Sequence, residues 1–304
     1  MRKEARLPTA ERKRIMPSSE NLFRKAAEFV VTDREDGLTV GEVLRLRGVS
    51  RRLTVKLKRR ENGLTLNGAQ TRTVDRVKEG DVLAAALDGG VSLEANPSLV
   101  VLVVYEDEDV IVFDKPDNMP VHPSAGHYGD TLGNCFGAMF PGLTFRPVNR
   151  LDKNTSGLCA VAKNAFSAAM LGGNMEKEYL AAACGVVEGC GRIEAPIGRA
   201  DGSTIKREVR SDGQQAATNY TIIKENGRYT LLRVAPETGR THQIRVHFAY
   251  IGHPLAGDEF YGGDMSDIKR QALHCCRLSF ISPLSGKKVE LESSMREDMQ
   301  QLFE

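Results

Sequence analysis

Three short runs of this 304-residue chain carry side chains that could meet in one reactive site. Arg150 and Asp152 stand two apart in RPVNRLDKNTSG (146–157), where apolar and polar residues alternate up to Leu151 as in a half-buried strand. Alternation turns both side chains to one face and leaves Asp152 at the strand's end, ahead of a turn-rich Lys-Asn-Thr-Ser-Gly. Lys177 and Tyr179 share a face of a second strand-like run by the same rule. In the third, PETGRTHQIRVHFAYIGHPLAGDEFYG (236–262), Thr238 or Thr241 is suited to cap a helix. Ile244, Phe248 and Ile251 recur as its buried face, and Thr241, His242 and Arg245 fall on a neighbouring one. A cation fixed on that helix is a suitable partner for a carboxylate arriving from a strand. Taken singly, each residue has a plainer use: Asp152 as a turn residue, Tyr179 as a core tyrosine, Arg245 as a surface ion pair. Their joint occurrence is what points to chemistry.

The elements that must position these groups are mostly strands. SLVVLVVYEDEDVIVFDKP reads as two strands around an acidic turn, and Pro116, Pro120 and Pro123 then impose an irregular loop. Further strands are expected at TFRPVNRL, GLCAVAK, KEYLAAACGVV, ATNYTIIKE, RYTLLRVAP and ALHCCRLSFIS, with helices at 164–172, about 240–251 and near the C-terminus. Many strands joined by hairpin-length turns, with few helices, predict an α+β domain on a mixed or antiparallel sheet. Strict β-α-β alternation is missing, and so are a G-x-G-x-x-G, a P-loop and an H-E-x-x-H.

Composition describes a soluble globular chain, 41% hydrophobic and 27% charged, without an apolar run long enough to span a bilayer or a signal-peptide core. The expected address is the cytoplasm, and the expected state a monomer. The six cysteines form no C-x-x-C pair and read as core or incidental thiols. His122, His127, His253 and His274 have no spacing suited to a metal.

A net charge of +2 hides a basic front end, since residues 1–60 carry 17 Lys and Arg against 8 Asp and Glu. Within it, Val40, Val43 and Leu44 form a helical apolar stripe that Gly48 can end, and Ser50 can cap a second helix bearing Leu53 and Leu57. Arg52, Lys56, Arg59 and Arg60, next to Arg51, recur at helical spacing on the opposite face. GLTLNG and EGDVL then read as short strands between glycine turns. The expected division is a basic extension over 1–34, a small module over 35–96 and the main domain over 97–304.

Two basic helices followed by short strands resemble the S4-type RNA-binding fold, on Ser50-Arg51-Arg52, Leu57, Asn67-Gly68 and Gly80-Asp81. The main domain resembles the RluA-like pseudouridine synthases of large-subunit rRNA and tRNA. Arg150-Leu151-Asp152 with Thr155-Ser156-Gly157, the Lys177-x-Tyr179 pair, residues 239–247, the HPLAGD run at 253–258 and the lead-in DKPDNMPVHPS (114–124) all match in order. One departure is Asn149, where that family usually has histidine before Arg-Leu-Asp.

This resemblance implies isomerisation of uridine within structured RNA, in rRNA rather than tRNA, with no cofactor and no metal. Asp152 is then the catalytic carboxylate, with Arg245 as its opposing charge and Tyr179 stacked on the uracil as the group to assist proton removal at C5. Arg150 would fill the gap left by a flipped nucleotide, Lys177, Arg240 and His242 would contact substrate, and Leu255 and Leu273 would form an apolar wall. Arg51, Arg52, Lys56, Arg59 and Arg60 would hold phosphates without reading sequence. Two rivals remain open. An N-ribosyl hydrolase would normally want a second carboxylate flanking the bond, and a non-catalytic RNA-binding protein of ribosome assembly would need none of the three.

Overall fold

The computed structural model describes residues 26–86 and 93–304. Most of the expected basic extension therefore lies outside the described residues. Its last part does not: Ala26–Val30 is strand β1 and pairs antiparallel with β4, Val82–Ala86. The first module thus starts before residue 35. Between these strands come helix α1 (Val40–Leu46), helix α2 (Arg51–Leu57) and the short strands β2 (Leu64–Leu66) and β3 (Ala69–Gln70). The four strands make one sheet in the order β1-β4-β2-β3. Val40, Val43, Leu44 and Leu57 are buried against it, as their spacing predicts. Ser50 caps α2 by accepting the Leu53 N–H at 3.3 Å. Because α2 stops at Leu57, the basic stripe is shorter than expected: Arg52 and Lys56 lie on the helix, while Arg59 and Arg60 lie in the turn after it.

The remaining chain forms strands β5 (Leu102–Glu106) and β6 (Val110–Lys115), helix α3 (Leu132–Met139), strands β7 (Arg146–Pro147) and β8 (Ser156–Ala162), and helix α4 (Ala165–Leu171). Then follow β9 (Glu176–Cys184), β10 (Gly191–Glu194), β11 (Ile197–Arg199), β12 (Arg207–Val209), β13 (Ala217–Glu225) and β14 (Tyr229–Pro236). Helix α5 (Gln243–Tyr250), strands β15 (Leu273–Ile281) and β16 (Lys288–Glu292) and helix α6 (Glu297–Gln300) complete it. Ten strands join in one mixed sheet with the path β10-β13-β14-β9-β15-β8-β6-β5, β16 on β15 and β7 on β8. Strands β11 and β12 stand off it as a separate hairpin.

Strands β6 and β8 are buried at every position. Their near-continuous apolar runs follow from being covered on both faces. Lys115, at the end of β6, is fully buried and donates from Nζ to the carbonyls of Pro116, Met119 and Lys153 at 2.7, 2.8 and 3.1 Å. The β7–β8 connection, which carries Asp152, is thereby tied to the sheet.

The two parts of the chain share a core. Phe166 and Met170 of α4 and Leu284 pack into the apolar cluster of the first module, and Phe29 of β1 meets Phe166 with ring centroids 5.3 Å apart. Gly48 follows α1 in the left-handed region (φ 79°), and a Cβ there would lie 2.2 Å from Met170 Sδ. The glycine that ends α1 thus also leaves room for the Met170 side chain.

All six cysteines are unpaired, four of them buried. No helix among the described residues is long and apolar enough to cross a membrane.

Candidate active site

Asp152 does not end a strand. The strand expected through Leu151 stops at Pro147, and Asn149 explains why: its Nδ2 donates to Leu158 O at 3.0 Å while its Oδ1 accepts the Ala160 N–H at 2.7 Å. The side-chain amide takes the hydrogen bonds that a neighbouring peptide would make, so the backbone is released to turn away. Asp152 then sits in an open connection, closed by the Thr155 N–H bonding to Asp152 O at 3.0 Å. Its side chain is 29% exposed. Arg150 is exposed, and its charge helps burial to lower the His122 pKa.

Helix α5 brings Arg245 to this carboxylate. Its start is not capped by Thr238 or Thr241. His242 is the N-cap, in a left-handed conformation (φ 58°) and without a capping bond, and the Gln243 side chain closes the turn instead. Gln243 Oε1 accepts from Arg240 N–H at 3.0 Å and from the Thr238 hydroxyl at 2.7 Å, while Nε2 donates to Ala217 O at 2.9 Å. Ile244 and Phe248 face the core as expected, and the helix packs on β13 and β14.

Arg245 is buried, and Nη1 donates to Asp152 Oδ2 at 2.9 Å. Its other edge is taken by Asp258, with Nε and Nη2 on the two carboxylate oxygens at 2.7 and 2.8 Å. Burial opposes the charge, but the bonds to Asp258 and Asp152 outweigh it and hold the guanidinium's pKa above its ordinary value. The ring of Tyr261 lies against the same group, 5.0 Å from Cζ to the centroid. His242 approaches from the helix start, Nε2 3.7 Å from Asp152 Oδ2. Burial lowers its pKa, although the Asp152 charge pulls the other way.

Tyr179 lies on β9 opposite Cys275 of β15 and is buried. Burial drives its pKa far up, helped by contact with Cys275 and by the Asp152 charge, so the phenol holds its proton. Asp152 and Arg245 therefore meet, and Tyr179 lies near enough to feel the Asp152 charge. Lys177 is half-buried on the same face. Arg240 is exposed, donating to Gln215 O at 3.1 Å. Leu255 is fully enclosed in the main core and Leu273 nearly so, which puts them behind the site rather than along an open wall. Arg51, Arg52, Lys56, Arg59 and Arg60 are all exposed, and of these Arg51 lines a groove of about 250 Å³ together with Arg45 and Lys58.

Asp258 and Tyr261 join the site beyond the residues that the sequence singles out. The available signal was Arg245 itself, since a guanidinium beside the buried helix face calls for a carboxylate partner and the HPLAGD run carries one 13 residues on. Among the described residues, no three His, Cys, Asp or Glu side chains gather as a metal ion would require.

Comparison with known proteins gives this geometry a family. Residues 109–250 match the family described as RNA pseudouridylate synthase. The Bacillus subtilis protein YjbO, named an uncharacterized RNA pseudouridine synthase, is 36% identical over 88% of this chain and 98% of its own length. Ribosomal large subunit pseudouridine synthase D of Xanthomonas campestris is 35% identical over 78% of this chain and 79% of that protein. Among solved structures, human RNA pseudouridylate synthase domain containing 1 superposes with a TM-score of 0.55 and 27% identity, covering 66% of this chain and 86% of that one. With a relative of that identity along nearly its whole length and a site assembled from the matching runs, the chain belongs to the RNA pseudouridine synthases.

Proposed function

We propose that Asp152 is the carboxylate that converts a uridine of large-subunit ribosomal RNA to pseudouridine, with Arg245 as its fixed counter-charge. The observation that carries this reading is the 2.9 Å bond from the buried Arg245 to a partly exposed Asp152. One oxygen is held and the other side of the carboxylate is open to a substrate. Isomerisation breaks N1–C1′, turns the uracil and joins C5 to C1′; no group is lost, so a single anionic residue with good positioning suffices. Asp258 cannot serve as the second acid of a hydrolase, because it is 1% exposed and both its oxygens are on Arg245. Tyr179, buried and holding its proton, gives the base a flat wall, and its hydroxyl is the group to assist proton transfer at C5.

A stacked uridine must leave its helix to reach Asp152, at a cost of a few kcal/mol that phosphate and stacking contacts offset. Exposed Arg150, next but one to Asp152, is placed to stack in the vacated gap. Lys177, Arg240 and His242 contact the extruded nucleotide or its phosphates. Arg51, Arg52, Lys56, Arg59 and Arg60 make the first module an S4-like grip on the RNA backbone. The preference for ribosomal RNA follows the name of the Xanthomonas relative.

Pseudouridine mapping of RNA from cells lacking the protein tests this. One or a few sites in large-subunit RNA should disappear, return with wild type and stay absent with Asp152→Asn. Restoration by Asp152→Asn would remove the carboxylate from the mechanism, and a lost site in tRNA would move the substrate.

A further inference from the structure

Three elements meet at the hydroxyl of Tyr261. The residue ends the 3-10 turn Glu259–Tyr261 that follows Asp258. Its oxygen accepts the backbone N–H of Arg207, on β12, at 3.1 Å, and lies 2.8 Å from Nδ1 of His242. The His242 ring stands edge-on to the phenol, with centroids 5.7 Å apart. On the other side of the imidazole, Nε2 faces Asp152 Oδ2 at 3.7 Å.

A phenol has one proton to give, and a neutral imidazole has one N–H. Burial raises the pKa of Tyr261 and lowers that of His242, so both stay neutral. The Tyr261 oxygen already accepts from Arg207, and its own proton has the Nδ1 lone pair within reach. With Nδ1 accepting, the imidazole hydrogen resides on Nε2. We infer that Tyr261 is a positioning residue that locks His242 in its Nε2–H tautomer, so that one N–H donor stands beside the Asp152 carboxylate. At 3.7 Å that donor is too far for a full bond to Asp152 and is free to turn to an oxygen of the entering nucleotide, a uracil carbonyl or a ribose hydroxyl. The opposite tautomer would set a bare lone pair against the carboxylate and offer the substrate nothing. The left-handed backbone at His242, uncommon for a residue with a side chain, agrees with a ring that must be aimed. Hairpin β11–β12 enters the site here too, since its Arg207 amide supplies one of the hydroxyl's two bonds.

The role in catalysis rests on the reading of Asp152 above; the tautomer does not. Tyr261→Phe keeps the ring against Arg245 and deletes only the hydroxyl. In full-length protein with 15N-labelled histidine, His242 of the wild type should show the Nε2–H pattern, and Tyr261→Phe a mixed or reversed one. A wild type in the Nδ1–H form, or a variant with unchanged shifts, overturns the inference whether or not RNA is modified. On an RNA the wild type modifies, Tyr261→Phe should lower kcat about tenfold with KM within about twofold, the scale of one lost hydrogen bond. Added to His242→Ala, it should cost little more, because the group it orients is gone. Losses that multiply in the double variant would show Tyr261 acting elsewhere and overturn the lock. Equal thermal midpoints for wild type and Tyr261→Phe confirm that the comparison is between folded proteins.

Discussion

Arg245 and Asp258 form a closed fork, Nε and Nη2 on the two carboxylate oxygens, and this pairing leaves Nη1 for Asp152 at 2.9 Å. Asp258 thus sets the angle at which the guanidinium meets the Asp152 carboxylate. Asp258→Ala strands a buried arginine and should cost about 3–5 kcal/mol in urea unfolding. The milder Asp258→Asn keeps one acceptor; single-turnover assays should show about tenfold slower chemistry, the scale of one charge-assisted bond, with RNA affinity little changed.

The contact of Gly48 with Met170 makes the joint between the two parts of the chain sensitive to one methyl group. Gly48→Ala meets both the positive φ and the Met170 sulfur. It should destabilise the protein by about 1–3 kcal/mol. Met170→Ala should restore only the steric share, because the backbone conformation remains.

Acid should weaken the fold through histidines held neutral. His274 is fully buried, with Nδ1 3.0 Å from the Ser156 hydroxyl, and burial, aided by Arg296, lowers its pKa to about 4. In the unfolded chain it titrates near 6.5. Between those values the unfolded chain binds a proton that the folded one refuses, so its contribution is complete above pH 6.5 and is lost as pH falls towards 4. At pH 5 the loss is on the order of 2 kcal/mol for this residue alone. Burial lowers His122, His242 and His247 in the same direction. Urea midpoints should drop from pH 7 to pH 5, and His274→Gln should flatten that slope; a slope unchanged in the variant would remove His274 from the account.

Salt should report on the first module. Removing the exposed charges of Arg52 and Lys56 together should weaken RNA binding and lower the slope of log K against log salt by about 0.7–0.9 per charge. Turnover at saturating RNA should stay near wild type. A slope equal to the wild type's would show that this face does not touch phosphate.

The runs that carry the site were legible because each is local: alternation gave the face of Tyr179, and helical spacing gave the buried Ile244 and Phe248. What escaped was decided at long range. Asp258 stands 13 residues past Arg245 and looks like any loop acid until the chain folds back. The strand through Leu151 was over-read because nothing in the sequence says that the Asn149 amide replaces a peptide. Helix α3 went unread because Gly133 and Gly137 weaken a helical pattern. Those glycines admit Leu93, whose side chain would lie 2.4 Å from a Cβ at Gly133. Hairpin β11–β12, rich in charge and glycine, offered no apolar period at all.

Gly157, in the left-handed region at φ 106°, sits where β8 meets β15, the one parallel pair among the described strands, and a Cβ there would fall 2.3 Å from Cys275 O. The final letter of Thr-Ser-Gly is therefore joinery, not chemistry. A descendant that had exchanged Asp152 for an inert residue would keep the seam and most of the signature around it. Such a copy would fold and match its cousins whatever became of its work on RNA.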